Sequence, residues 1–158
     1  MLHRDYSGQN CSIAGTLELI GERWTLLILR DAFHRVRRFE DFQRRLGIAR
    51  NVLSNRLQTL VDAGILERRL YQEHPARYEY RLTEKGIDYY PVLLMLLQWG
   101  DKYYVSPDGP PLLLRHKSDG HDLEPAVTCS CCSQPVEAHY VAFEVIEAAT
   151  PPASEPVA

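Results

Sequence analysis

The sequence predicts a mainly helical α+β chain in which amphipathic helices flank one β-hairpin. Apolar residues recur at helical spacing over residues 12–63, and their period shortens toward two residues, as in a strand, over residues 65–82. A densely apolar helical segment follows. The 158 residues are 45% hydrophobic and 25% charged, an ordinary globular composition. Because a chain of this length buries roughly 70% of its unfolded surface, we expect it to fold without a disulfide or a metal ion.

The first two predicted helices span residues 12–20 and about 22–33. Ser12 is the expected N-cap of the first helix, and Gly21 ends it. Both helices carry apolar residues at helical spacing: Ile13, Leu17 and Ile20 in the first, and Trp24, Leu27, Ile28 and Ala32 in the second.

The next two predicted helices, 39–46 and about 50–63, are separated by a tight turn at 47–49. Gly47 and Gly64 each occupy a position typical of a helix stop. A short helix, a turn with glycine and a second amphipathic helix have the spacing of a helix-turn-helix. The polar face of the second helix carries groups that can read base edges in a DNA groove: Arg50, Asn51, Ser54, Asn55 and Gln58.

Charge is distributed unevenly along a chain whose net charge is −3. Residues 21–90 hold 14 Lys and Arg against 10 Asp and Glu, whereas residues 91–158 hold three against nine. Residues 35–56 contain seven arginines and only two acidic residues, and no acidic residue lies between Arg44 and Val61. A basic segment within an acidic chain is typical of a polyanion site, although a solvated helix surface would also produce it.

The hairpin is predicted from strands at 65–71 and 78–82, joined by a polar loop that contains Pro75. A basic hairpin directly after a DNA-reading helix is the wing of a winged helix-turn-helix, which follows the phosphate backbone or enters the minor groove. An ordinary solvated hairpin is the alternative interpretation.

After the hairpin, Thr83 is predicted to cap a helix, and Pro91 either kinks one helix over 84–104 or begins a new one. From Val92 to Tyr104 the chain is nearly all apolar. A helix that is apolar around most of its circumference must be buried on two sides, so this segment predicts a subunit interface.

These segments together resemble the HxlR-type winged helix-turn-helix transcriptional regulators over about residues 11–104. The resemblance rests on CSI at 11–13, IGERWTLLILR at 20–30, RFEDF at 38–42, GI at 47–48, VLSNRL at 52–57, DAGILER at 62–68, PARYEY at 75–80, LTEKG at 82–86 and WG at 99–100. It implies a homodimeric prokaryotic regulator, with flanking N- and C-terminal helices forming the dimer interface. The expected interface residues are Ile13, Leu17, Leu93, Leu96, Leu97, Trp99 and Tyr103.

A two-fold dimer would place two reading helices in successive major grooves, so the expected partner is double-stranded DNA with an inverted-repeat operator. The family pattern and the basic hairpin together predict the residues that contact the DNA backbone: Arg35, Arg37, Arg38, Arg56, Arg68, His74 and Arg77.

Cys11 precedes the first helix, and a thiol at a helix N-terminus can be reactive. Its position resembles that of the sensing cysteine in HxlR-type members that respond to aldehydes, quinones or hypochlorite. A thiol-reactive signal at Cys11 is therefore one predicted switch. An inert buried cysteine is the alternative, and a small-molecule effector at the dimer interface stays open.

The C-terminal third is predicted to form a linker at 105–111, a small extension at 112–147 and a disordered tail at 148–158, without an internal repeat. Strands are expected at 112–115 and 140–145. The extension contains a candidate zinc set made of His116, His121, Cys129 and Cys132. Some family members carry a Cys-Gly-His element here, where this chain reads Asp119-Gly120-His121, so one ligand is replaced. Unligated cysteines or a reducible disulfide are the alternatives.

Other classes of protein fit the sequence less well. The N-terminus has no apolar signal region, and no apolar run approaches the ~20 residues of a bilayer span, so we expect a cytoplasmic protein without membrane contact. Neither a P-loop nor a dinucleotide-binding fingerprint occurs, and no cofactor is expected to be required. The remaining alternatives are a winged-helix module for protein contacts and a CxxC thiol redox protein, which lacks the usual βαβ context.

Overall fold

A computed structural model describes Tyr6, residues 10–104, Pro107 and residues 109–144. The chain divides into two compact units, Met1–Leu113 and Leu114–Ala158. The predicted linker lies partly outside the described residues, and the predicted tail at 148–158 lies wholly outside them. In the described ranges, each helix is too short or too polar to cross a lipid bilayer.

The described part of the first unit is mainly helical, with one two-stranded sheet, as predicted. The elements in chain order are α1 (Ser12–Ile20), α2 (Thr25–Phe33), α3 (Phe39–Leu46), α4 (Arg50–Asp62), β1 (Leu66–Gln72), β2 (Arg77–Leu82), α5 (Glu84–Ile87) and α6 (Tyr90–Tyr103). This order of helix-turn-helix, hairpin and flanking helices is a winged helix-turn-helix.

Two helix starts differ from the prediction. Ser12 is the first helical residue rather than the cap, because Cys11 holds the cap position and its carbonyl oxygen accepts the N–H of Gly15 at 3.0 Å. The second helix begins at Thr25, three residues later than expected. A turn precedes it, in which the Thr25 N–H donates to the Glu22 oxygen at 3.0 Å.

The core of the first unit lies where α2, α3, α4 and the start of β1 meet. Its fully buried apolar side chains are Ile28, Leu29, Phe42, Leu53, Leu57 and Leu60, with Leu66 at 1% exposure. Gly47 takes a left-handed conformation with φ 62° and turns the chain from α3 into α4. Helices α3 and α4 are therefore held in place by a shared apolar core and by the turn at Gly47.

The hairpin is antiparallel, with Leu66 opposite Leu82 at its base and Gln72 opposite Arg77 near its tip. Arg38 forms a bridge with Glu79, and the Tyr80 N–H donates to the oxygen of Arg37 at 2.8 Å. The segment before α3 thus runs beside β2, which attaches the wing to the helix-turn-helix.

Pro91 begins a new helix and does not kink a long one. The helix after Thr83 ends at Ile87, and Pro91 lies in the first turn of α6, where a missing N–H costs no helical bond. Thr83 caps α5 as predicted, since its Oγ1 accepts the Gly86 N–H at 3.1 Å. A side chain at Gly86 would meet the Ile65 oxygen at 2.2 Å, so the close approach requires glycine.

The predictions for the second unit were less successful. The strands expected at 112–115 and 140–145 are wrong over the described residues: Arg115 forms only an isolated bridge, and Ala138–Tyr140 is a short 3-10 helix. Val145 lies outside the described residues. The amino-acid sequence contains no evident repeat, but two hairpin turns with the same backbone pattern lie 13 residues apart, at Arg115–Asp122 and Thr128–Pro135. Their side chains differ, so the sequence hides the repeat.

Candidate nucleic-acid interface

Helix α4 has one face in the core and the other in water. Leu53, Leu57 and Leu60 are fully buried, and Asn51, Ser54 and Asn55 on the other side are exposed. The first acidic residue of the helix is Asp62, its last residue. The exposed face therefore offers amide and hydroxyl groups, and it holds no carboxylate near the first turns that would repel phosphate.

Two other predicted base-reading side chains already contact neighbours. The guanidinium of Arg50 lies over the ring of Phe39, 4.7 Å from its centroid. Gln58 Nε2 donates to Asp62 Oδ1 at 2.7 Å. Both residues are exposed, so each can reach a base only by exchanging its present contact for a new one.

Both arginines of α3 are paired with carboxylates of the same unit. Arg44 pairs with Asp41. The carboxylate of Asp31, which is fully buried, accepts Arg45 Nε at 3.2 Å and both Nε and a terminal nitrogen of Arg30 at 3.0 and 2.9 Å. Asp31 thereby ties the end of α3 to α2 and fixes the entry to the turn. Sequence reasoning missed Asp31, whose one signal was an acidic residue inside an apolar helix.

The arginines before α3 are exposed. Arg35 adopts a left-handed conformation with φ 64°, an uncommon choice for a residue with a side chain. Arg37 and Arg38 follow in the segment beside β2, and the Arg38 guanidinium lies 4.8 Å from the centroid of Tyr71. These three cations lie where α2 passes to α3 and to the wing.

Arg56 was predicted to contact the DNA backbone, and the structure places it differently from the other cations. Its side chain is only 23% exposed, and a terminal nitrogen lies 3.4 Å from Glu22 Oε2. In this position Arg56 links α4 to the connection between α1 and α2. Its predicted phosphate contact would require this ion pair to open.

The wing separates its charges along its length. Between the base and the middle of the hairpin, Arg69 pairs with Glu67 at 2.6 Å and Arg81 pairs with Glu79 at 2.7 Å. Arg68 stacks on Tyr78, with 3.6 Å between the guanidinium carbon and the ring centroid. The exposed His74 and Arg77 belong to the tip. Positive charge is therefore most available at the end of the hairpin.

The predicted interface residues are apolar and partly in water. Exposure is 72% for Ile13 and 40% for Leu17 on α1, and 47%, 53% and 58% for Leu96, Trp99 and Tyr103 on α6. Leu93 and Leu97 are half-buried. The Trp99 ring packs against Tyr103 and Tyr104, with centroids 5.5 and 5.1 Å apart. Among the residues described, α6 contains no buried side chain.

The cysteines fall into two environments. Cys11 is exposed at the cap position of α1. In the second unit, the Cys129 sulfur accepts hydrogen bonds from the backbone N–H groups of Cys132 and Cys131, and these bonds lower the pKa of the Cys129 thiol.

The zinc set predicted from sequence is split between two places. His116 and His121 stack with ring centroids 4.9 Å apart, and Cys129 and Cys132 belong to a different turn. Across the ranges that the structure covers, no three His, Cys, Asp or Glu side chains stand close enough to hold a metal ion. Zinc binding stays a prediction.

Known proteins that are similar to this chain agree with the winged helix-turn-helix described above. Residues 19–108 match the HxlR-like helix-turn-helix family, more than half of the chain. The chain belongs to the HxlR-like helix-turn-helix family. An uncharacterised HTH-type transcriptional regulator of Mycobacterium tuberculosis is 48% identical over 133 residues, which is 84% of each chain.

Two solved structures are similar to this chain. The crystal structure of PA1607, described as a transcription factor candidate, is similar with a TM-score of 0.78 and 34% identity, covering 88% of this chain and 97% of that one. The redox regulator HypR in its reduced form is similar with a TM-score of 0.52 and 30% identity, covering 58% of this chain and 92% of that one. This HxlR-like chain is accordingly a transcriptional regulator and not an enzyme.

Proposed function

We propose that this HxlR-like protein is a homodimer that binds an inverted-repeat operator in double-stranded DNA, with one α4 helix in each of two successive major grooves. The observation that carries the proposal is that α4 exposes a polar face to water while its opposite, apolar face is fully buried. Asn51, Ser54 and Asn55 can pair with base edges from this position. The cations at Arg35, Arg37 and Arg38 and at the wing tip would lie against the flanking phosphates.

The dimer part of the proposal rests on α1 and α6. Four large apolar side chains of α6 are about half-exposed, those of Val92, Leu96, Trp99 and Tyr103, and Ile13 of α1 is 72% exposed. Isolated exposed apolar residues are ordinary, but an entire helix without a buried residue needs a covering surface. A second copy would supply the same helices by two-fold symmetry, and it would set the two α4 helices roughly 34 Å apart, one turn of DNA.

The direct test is fluorescence anisotropy with the reduced protein across a salt series. The labelled duplex carries the DNA upstream of the protein's own gene, and a scrambled duplex of equal composition is the control. We expect tighter binding to the first duplex, with affinity falling steeply as salt rises because phosphate contacts release counterions. If the protein binds both duplexes and further genomic fragments with the same weak affinity, the result would favour a winged helix that serves protein contacts.

We further propose that Cys11 is a thiol switch for DNA binding. Its exposure at the start of α1 supports this, because α1 is one of the two helices assigned to the dimer interface. The similarity to the redox regulator HypR is consistent with it. Modification of Cys11 by an oxidant or an electrophile would alter the packing of α1 and so the spacing of the two α4 helices.

Mass spectrometry and anisotropy after mild diamide treatment test the switch. We expect modification at Cys11 and a change in operator affinity that Cys11→Ser abolishes. The matched control replaces Cys129, Cys131 and Cys132 with serine and should keep the response. An unmodified Cys11, or a modified one with unchanged affinity, would rule the switch out.

A further inference from the structure

The second unit contains a tight turn around His116. The N–H of His116 donates to the oxygen of His121 at 2.9 Å, and the N–H of Gly120 donates to the oxygen of His116 at 2.9 Å. A bridge between Arg115 and Asp122 closes the turn from outside, and their side chains form an ion pair at 3.1 Å. This turn is therefore closed by contacts of its own.

A second turn around Cys129 repeats this backbone pattern 13 residues later. The N–H of Cys129 donates to the oxygen of Gln134 at 2.9 Å, and the N–H of Ser133 donates to the oxygen of Cys129 at 2.8 Å. The bridge between Thr128 and Pro135 corresponds to the bridge that closes the first turn. Each turn also has a left-handed residue at the equivalent position, Gly120 at φ 77° and Ser133 at φ 58°.

The repeat pairs side chains that sequence reading had not aligned. His116 occupies the place of Cys129, and Asp119 occupies the place of Cys132. Each turn thus presents two side chains with two residues between them, which is the spacing of paired ligands in structural zinc sites. All four side chains belong to types that bind zinc through nitrogen, oxygen or sulfur.

Within each turn the candidate ligands share close neighbours. The Cys129 sulfur accepts backbone N–H groups from Cys131 and Cys132, and its thiol also contacts the thiols of both. In the first turn, Asp119 Oδ1 lies 2.6 Å from Nδ1 of His121, whose ring stacks on that of His116. The second turn therefore holds its two ligands in contact, and in the first turn both ligands contact His121.

We propose that His116, Asp119, Cys129 and Cys132 bind one zinc ion, with two ligands from each turn. This set replaces His121 of the sequence prediction with Asp119, because Asp119 has the place equivalent to Cys132. His121 then acts outside the coordination sphere, donating its Nδ1–H to the Asp119 carboxylate and orienting it, as partners of metal ligands commonly do.

Binding of the ion would join the two turns. In the described ranges no three such donors stand close enough to hold an ion, so the two turns must move closer as the ion binds. Two thiols, of Cys129 and Cys132, each lose a proton to become ligands, and Asp119 adds a third negative charge. Because the site forms only when the turns close, metal binding stabilises the extension.

The test uses the full-length protein, reduced and stripped of metal with a chelator. Titration with Co²⁺ as a spectroscopic probe, followed by competition with Zn²⁺, should give one ion per chain, sulfur-to-cobalt charge-transfer bands and the visible bands of tetrahedral Co²⁺. Zinc should also slow proteolysis of the extension. Each of the variants His116→Ala, Asp119→Ala and Cys132→Ser removes one ligand and should weaken zinc binding by at least about 10-fold.

Two variants serve as matched controls. Cys131→Ser removes a neighbouring thiol that has no ligand position and should leave the cobalt spectrum unchanged. His121→Ala should weaken binding less than Asp119→Ala does. Absence of stoichiometric binding, an unchanged spectrum in Asp119→Ala, or an equal loss in Cys131→Ser would each overturn the proposal, as would a Cys129–Cys132 disulfide that survives reductant.

Discussion

Helices α4 and α6 are similar in length, with 13 and 14 residues, but they differ in how far their apolar side chains are buried. On α4, Leu53, Leu57 and Leu60 are fully buried and the other face is polar. On α6 no side chain is buried, and Trp99 and Tyr103 are more than half-exposed.

The difference shows that the chain itself covers the apolar face of α4 but leaves the apolar surface of α6 partly in water. The apolar face of α4 is satisfied by α2, α3 and β1, which leaves its polar face to a polar ligand. Each Å² of apolar surface that α6 leaves in water forgoes about 25 cal/mol that burial would provide. The two helices therefore predict different partners: nucleic acid for α4 and a second copy for α6.

The largest expected effect comes from the buried face of α4. Leu57→Ala should lower the free energy of unfolding by about 2–5 kcal/mol, because it removes a fully buried side chain and leaves a cavity. Urea denaturation at fixed protein concentration measures this loss. A loss below about 1 kcal/mol would contradict the assignment of this face to the core.

Trp99→Ala tests the exposed face of α6. We expect self-association to weaken by at least about 30-fold, the effect of losing a central aromatic side chain from an interface. Sedimentation velocity over a range of concentrations measures it, and circular dichroism checks the fold. The control is Leu70→Ala, a residue 50% exposed on the hairpin, which should leave association unchanged. Unaltered sedimentation of the Trp99 variant would remove α6 from the interface.

Asn51→Ala tests the polar face of α4. The variant should lose about 1–3 kcal/mol of discrimination at one base pair of the operator, since an amide pairs with a specific base edge. Binding to a set of single-base operator variants measures this. Gln58→Ala should lose less, because Gln58 Nε2 already donates to Asp62. An equal loss on every operator variant would show that Asn51 does not read a base.

The smallest expected effect concerns the wing tip. Arg77→Ala should weaken binding to all sequences alike and reduce the slope of log affinity against log salt by about one unit. Arg69→Ala is the matched control, because Arg69 is paired with Glu67 at 2.6 Å and should change the slope less. An unchanged slope in the Arg77 variant would exclude the wing tip from phosphate contact.

Local signals predicted the elements of the first unit well. Gly47 and Gly64 mark helix ends by conformations that other residues rarely adopt, and both are left-handed in the structure. Thr83 caps its helix as expected. The start of α1 was misplaced by one residue because Ser12 is a better capping residue than Cys11, which nevertheless has the cap position.

Prediction was weaker wherever partners lie far apart in the chain. The arginine-rich segment was interpreted as a polyanion site, yet Arg45 contacts Asp31 and Arg56 contacts Glu22. A list of charges does not say which of them face one another. Apolar residues at 112–115 suggested a strand, but this segment is irregular apart from the bridge of Arg115 with Asp122, which closes a turn that the sequence does not reveal.

The sequence by itself determined the order of the elements, the acid-free polar face of α4 and the apolar character of α6, because these depend on spacing along one segment. Only the tertiary structure decided which arginines are neutralised, that Asp31 is buried, and that His116 and Asp119 correspond to Cys129 and Cys132. Those properties arise from long-range contacts and from backbone hydrogen bonds, which repeat in the second unit while the side chains do not.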